Sequence, residues 1–218
     1  MNDVVITVRG ESERRVTAEQ AVVRIAVRAD GPERGPVVER VQRQAAVVQD
    51  GLVAHQRSGE VSEWNSGRAT VWSERPWSSD GAQLPLVHHA SVDVSATFVD
   101  AAALSWWLGD VAESDDVQVV AVDWGLTPDL RARVEREVAA DAVRAAVERA
   151  QAYADALGAA SIVPVEVADV GLLGGRPEQP TPFAARAMAA HGDAGPGFSL
   201  QPVDVVVSTV VEGRFRAS

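Results

Sequence analysis

The sequence contains no cysteine, which removes disulfides, thiolate nucleophiles, iron–sulfur clusters and cysteine-held zinc together. A chain without thiols tolerates any redox compartment, so that question stays open. It contains no lysine either. All 20 basic residues are arginine, which excludes Schiff-base chemistry, the P-loop lysine and a Ser-Lys dyad. Positive charge is scarce beside 31 acids, and the net charge of −11 argues against nucleic acid and membrane partners, whose phosphates need a concentrated basic face. No window approaches the ~18 uninterrupted apolar residues of a spanning helix. The opening MNDVVITVRG has neither a basic leader region nor a long apolar one, so the expected address is cytoplasmic.

Within these limits, 218 residues allow one domain of moderate size or two small ones, and folding should bury roughly 70% of the unfolded surface. Alternation marks strands at 4–9 (VVITVR) and 21–29 (AVVRIAVRA), a pair expected to start the first sheet; Val23, Ile25, Val27 and Ala29 share one face, Arg24 and Arg28 the other. Gly35-Pro36 opens an amphipathic helix with Val38, Val41, Ala45, Val48 and Leu52 at spacings of three and four, and Gly59 ends it. From 60 to 77 the chain is extended and rich in aromatic and β-branched residues, with a turn at Asn65-Ser66-Gly67; WSSDGAQLP (77–85) reads as a loop. In the next strand His88, Ala90, Val92, Val94, Ala96 and Phe98 face one way, and His89, Ser91, Asp93, Ser95 and Thr97 the other.

Asp100 is placed to cap a short helix striped by Leu104, Trp107, Leu108 and Val111, and 117–124 is strand-like again. Thr127 and Pro128 start a long helix that Gly158 ends, with Leu130, Val134, Val138, Ala142, Ala145, Tyr153 and Leu157 along one side. Strand-like 162–170 precedes a Gly-, Pro- and Ala-dense stretch, 171–201, expected to form a mobile loop with a helical turn near Phe183 to Met188. Residues 203–215 close the chain as a long strand. The expected fold is α+β: mixed or antiparallel sheets with one long and two shorter helices packed on them. The single domain, 3–216, is expected to divide into 3–80 plus 202–216 and 84–170.

The order of these elements resembles the SIMPL-domain (YggE-like) family. ITVRGESERRV…EQAVVRIAV looks like its first hairpin, and EREVAADAVRAAVERAQAYADALG resembles its Ala-rich helix. The strand IVPVEVAD follows with the usual acid, here Glu166, and the Gly/Pro-rich loop and terminal valine strand also fall in the family's order. His88-His89 stands where many members carry a Gly-Tyr pair, and Val61-Ser62-Glu63-Trp64 replaces a polar stretch after the first helix. The resemblance implies an α+β fold of two interlocked sub-domains, assembly into rings or larger oligomers in some members, and stress-defence or adaptor roles. It implies no catalytic residue.

His88 and His89, with His55 and His191, invite a metal reading, but neighbours on a strand point to opposite faces and cannot easily close on one ion. Acids cluster at Glu113, Asp115 and Asp116 and at Glu135, Glu137 and Asp141, among polar neighbours that read as solvated surface. A Ser-His-Asp triad lacks its G-x-S-x-G elbow, and Gly171, Gly174 and Gly175 lead into Pro177 in place of a nucleotide cradle. Of six tryptophans, Trp72, Trp107 and Trp124 are expected in the core, whereas Trp106 points away from its helix's apolar stripe and marks a subunit or sub-domain contact. The expectation is a non-enzymatic, cofactor-free, self-associating binding or scaffold module with no assigned catalytic or metal residue. The alternative is a small-molecule-binding or hydrolytic protein with 171–201 as a lid and His88, His89 or His191 near a pocket.

Overall fold

The capping and alternation signals resolve, in a computed structural model that describes residues 4–79, 83–173 and 200–218, into β1 (Val4–Thr17), β2 (Gln20–Gly31), α1 (Arg34–Ser58), β3 (Val61–Ser66), β4 (Thr70–Glu74), β5 (Val87–Phe98), α2 (Ala101–Ala112), β6 (Val117–Gly125), α3 (Pro128–Ala156), β7 (Ile162–Asp169) and β8 (Asp204–Ala217). The fold is α+β with two antiparallel sheets, β1-β8-β7 and β3-β5-β2-β6, the latter carrying β4 beside β5. The chain divides into two units, one from Met1–Thr17, Leu126–Met188 and Asp204–Ser218, the other from Ala18–Gly125 and Ala189–Val203.

In the first unit β1 pairs with β8 along its whole length, from Val4↔Ala217 to Thr17↔Asp204. The expected β1–β2 hairpin does not form. The charged stretch after Gly10, which reads poorly as a strand, is extended because β8 supplies partners from Glu11↔Val210 to Thr17↔Asp204, where Thr17 Oγ donates to Asp204 at 2.9 Å. The pairing places β1 and β2 in different sheets, and the two units part at Thr17/Ala18.

Helix α3 starts as its sequence dictates, with the Thr127 hydroxyl accepting from the Leu130 amide at 3.4 Å and Pro128 in the first turn, and Gly158 follows its end at φ 73°. Its buried stripe is Val134, Val138, Ala142, Ala146, Ala150 and Ala154, a strict spacing of four. Ala145, Tyr153 and Leu157 are not on it; Tyr153 and Leu157 are exposed. The alanines win over the larger side chains because the helix lies almost on the sheet backbone. A Cβ on Gly10 would sit 2.0 Å from the Ala142 carbonyl oxygen and 2.5 Å from the Ala146 nitrogen. Gly213 serves the same core by leaving room for the Phe215 ring, which a Cβ there would meet at 2.7 Å.

In the second unit α1 and α2 pack their apolar stripes on the face of β2 and β5 that carries Val23, Ile25, Val27, Ala90, Val92, Val94 and Phe98. The buried residues of α1 are Val37, Val41, Ala45, Val48 and Leu52; Val37 takes the place expected of Val38, which is only partly buried. Gly59 ends α1 at φ 83°, and the Asp100 carboxylate caps α2 by accepting from the amides of Ala102 and Ala103 at 2.8 and 2.9 Å. The break at Asn65-Ser66-Gly67 is not a hairpin turn. β3 and β4 both run antiparallel to β5, one after the other along the same edge, and the Gly67 amide still donates to the Asp93 carbonyl at 2.7 Å.

The Gly10 contact gives a direct test. Gly10→Ala should destabilise the protein by about 2 kcal/mol or more, the scale of a well-packed contact forced apart. Gly35→Ala, where a Cβ meets nothing within 4 Å, should be neutral or slightly stabilising in the same urea titration. Equal midpoints for the two variants would refute the close approach.

Candidate functional site

Because side chains alternate across a strand, the residues of β2 and β5 that do not face α1 share the opposite surface of their sheet. The antiparallel register sets them in cross-strand rows: Trp72, His89 and Asp30 in one, Thr70, Ser91 and Arg28 in the next. A cavity of about 630 Å³ opens over these rows and is lined also by Arg40 of α1 and by Asp115 and Asp116 before β6. A second cavity of about 560 Å³ shares Arg28 and Asp93 with it and continues to Arg24, Asn65 and Ser95.

The first cavity is built around an aromatic pair. The Trp72 ring stacks on His89 with centroids 5.1 Å apart and planes 12° from parallel, and remains 41% exposed. His89 Nε2 lies 3.4 Å from Glu74 Oε1 without hydrogen-bond geometry; it is shielded from solvent and makes no hydrogen bond among the described residues. Arg40 Nε donates to Asp116 at 2.7 Å. That bond and the charge of Asp116, followed by the charges of Asp115 and Asp30, raise the guanidinium's pKa against a desolvation that lowers it. Arg28 donates to Gln118 at 3.0 Å and Arg24 to Asp123 at 2.6 Å.

The two adjacent histidines do not converge. His89 lines the cavity; His88 occupies the other face of β5, its Nδ1 2.7 Å from the Ser73 hydroxyl. That pair has the first two members of a nucleophile–base–acid arrangement, but no carboxylate meets the ring among the described residues. His55 pairs with Glu60 at 2.6 Å and leans on the Phe98 ring. His191 lies outside the described residues, with most of the 171–201 segment and the turn expected at Phe183 to Met188. Among the described residues no group of three or more His, Asp and Glu is arranged to hold a metal ion.

Asp116 departs from its surface reading, since its side chain is largely buried against Arg40, whereas Asp115 is exposed as expected. Glu137 and Asp141 instead pair with Arg14, and Asp141 also with Arg144. Trp106 is 77% exposed, as its place on α2 predicts. Trp72 departs from the core role expected of it because β4 is a short edge strand whose outer surface no helix of this unit covers. The signal for its pairing with His89 is present only as matching alternation in VWSE and VHHA; the register that joins them is a long-range property.

These features define a two-sheet α+β protein with a polar cavity on one sheet. The family model of SIMPL, a protein of unknown function (DUF541), matches residues 6–215, and the chain belongs to that family. No curated protein matches the sequence.

The pair at the end of α1 makes a pH prediction. The hydrogen bond from Ser58 at 2.7 Å, and after it that from His55, hold the Glu60 carboxyl below its usual 4.5. A depressed carboxylate stabilises the fold above its unfolded pKa, and that contribution is lost as pH falls through the folded value. The stability gap between wild type and Glu60→Gln should therefore be open near pH 7 and close below about pH 4. Thermal unfolding across that range measures it, and a gap independent of pH would contradict the assignment.

Proposed function

We propose that this SIMPL-family protein is a non-enzymatic binding and scaffold module that acts as a self-associated assembly. The observation that carries the reading is Trp106. The Asp100 cap fixes where α2 begins, and with it which way each side chain points; Leu104, Trp107, Leu108 and Val111 then turn inward and Trp106 turns out, 77% exposed. A large indole held in water on a well-capped helix is the kind of side chain that anchors protein contacts. A second copy of the chain is the partner this reading names, and assembly is also what the family resemblance implies. The resemblance adds a stress-linked setting. Small-molecule binding is favoured by a separate observation, the cavity at Trp72 and His89.

Light scattering across concentrations tests the assembly. Wild type should show a mass that is a multiple of 23.1 kDa. Trp106→Ala should need a concentration roughly 30-fold higher to assemble, the effect of truncating an interface anchor. A strict monomer at tens of micromolar, or assembly unchanged by the substitution, would overturn it.

A further inference from the structure

We infer that His89 is a proton-operated clasp, which fastens the edge strand β4 to β5 more tightly when its imidazole is charged. β4 is five residues long, and β5 is its one partner among the described strands. So short an edge strand has few backbone bonds, and its side chains decide how firmly it stays down. The two adjacent histidines of β5 grip it from opposite faces. On one face His88 Nδ1 lies 2.7 Å from the Ser73 hydroxyl, which can donate to a neutral ring or accept from a charged one, so this contact holds in either state.

The other face is not indifferent to charge. There the His89 ring lies on the Trp72 indole at 5.1 Å and 12°, and its Nε2 comes within 3.4 Å of Glu74 Oε1. That nitrogen is buried and makes no hydrogen bond among the described residues. In a neutral ring it is a polar atom left unpaired away from water, which costs stability. In a charged ring both nitrogens carry protons, and Nε2–H has a carboxylate in front of it. The indole acts in the same direction, because its π face attracts a cation lying over it. Of the more distant charges, Asp30 of β2, Asp93 of β5 and Asp115 before β6 are exposed and act on the ring only weakly. Arg40 of α1 is paired with Asp116, so Arg28 of β2 is the opposing charge that remains. The balance rests with the two β4 groups against the ring, Trp72 and Glu74. Histidine is the side chain that changes charge between about pH 5 and 8, so the clasp is closed at the acid end of that range and loosened at the other. Trp72, which lines the cavity, is held or released with it.

Hydrogen exchange of the full chain, followed amide by amide by NMR at about pH 5.5 and 7.5, tests the clasp. With intrinsic rates corrected for, protection of the β4 amides relative to those of β6 should be roughly 3- to 10-fold greater at the lower pH in wild type. His89→Gln should abolish that ratio, and Glu74→Gln and Trp72→Phe should each reduce it. His88→Gln should keep it, even where β4 is looser throughout. Protection of the β6 amides reports that each variant is folded. Equal β4 protection at the two pH values in wild type, a ratio that survives His89→Gln, or a ratio lost in His88→Gln would each overturn the proposal.

Discussion

The full-length pairing of β1 with β8 is the constraint from which the rest of the architecture follows. β1 takes β8 as its neighbour, and β2, with β5 on one edge and β6 on the other, has no edge left for β1. Each sheet then needs its own apolar cover, and the two units meet that need differently. In the first, α3 presents alanine at four successive contact positions and approaches until Gly10 touches helix backbone. Dispersion falls steeply with a gap, so a small-residue face packs well only at such close range. In the second, valine, leucine and tryptophan of α1 and α2 fill the space, and the core resembles an ordinary helix-on-sheet layer.

Putting both helices of the second unit on one face of its sheet leaves the other face to polar side chains. Arg24, Arg28 and Asp30 on β2 stand across from His89, Ser91, Asp93 and Ser95 on β5. The interruption between β3 and β4 matters here as well. Because the two short strands continue along one edge, Trp72 reaches the row of His89 and Asp30, whereas a hairpin at Gly67 would have carried it away from β5. An irregularity in one edge strand thus decides where the aromatic part of the cavity lies.

Most of the local structure was legible in the sequence because its causes are local. Asp100, Thr127, Gly59 and Gly158 cap or end their helices where the residue types say they should, and the alternation from His88 to Phe98 predicts which side of β5 is buried. What could not be read depends on distant partners. The stretch GESERRV reads poorly as a strand until β8 is laid beside it, and Tyr153 and Leu157 look like core until the alanine face is seen to be the one that fits against Gly10. The cavity belongs to this second kind. Its residues come from β2, α1, β4, β5 and the approach to β6, five places along the chain with no shared motif, and Asp116 reads there as an ordinary surface acid.

Arginine as the sole basic residue gives these acids their meaning. A guanidinium stays charged and offers several donors in a fixed plane, so it makes directed pairs with carboxylates: Arg9 with Glu212, Arg24 with Asp123, Arg40 with Asp116, Arg214 with Glu166. Where one partner is shielded, as Glu212 is between Arg9 and the Gly171 amide, removing the arginine strands the carboxylate, whereas Arg9, 56% exposed, would remain hydrated without it. With 31 acids and 20 arginines, however, pairing one to one must leave carboxylates over. On open surface these are simply hydrated. Asp30, Asp93 and Asp115 beside Trp72 and His89 belong to this hydrated group, since all three are exposed, whereas Asp116, largely buried, is the acid there that keeps an arginine.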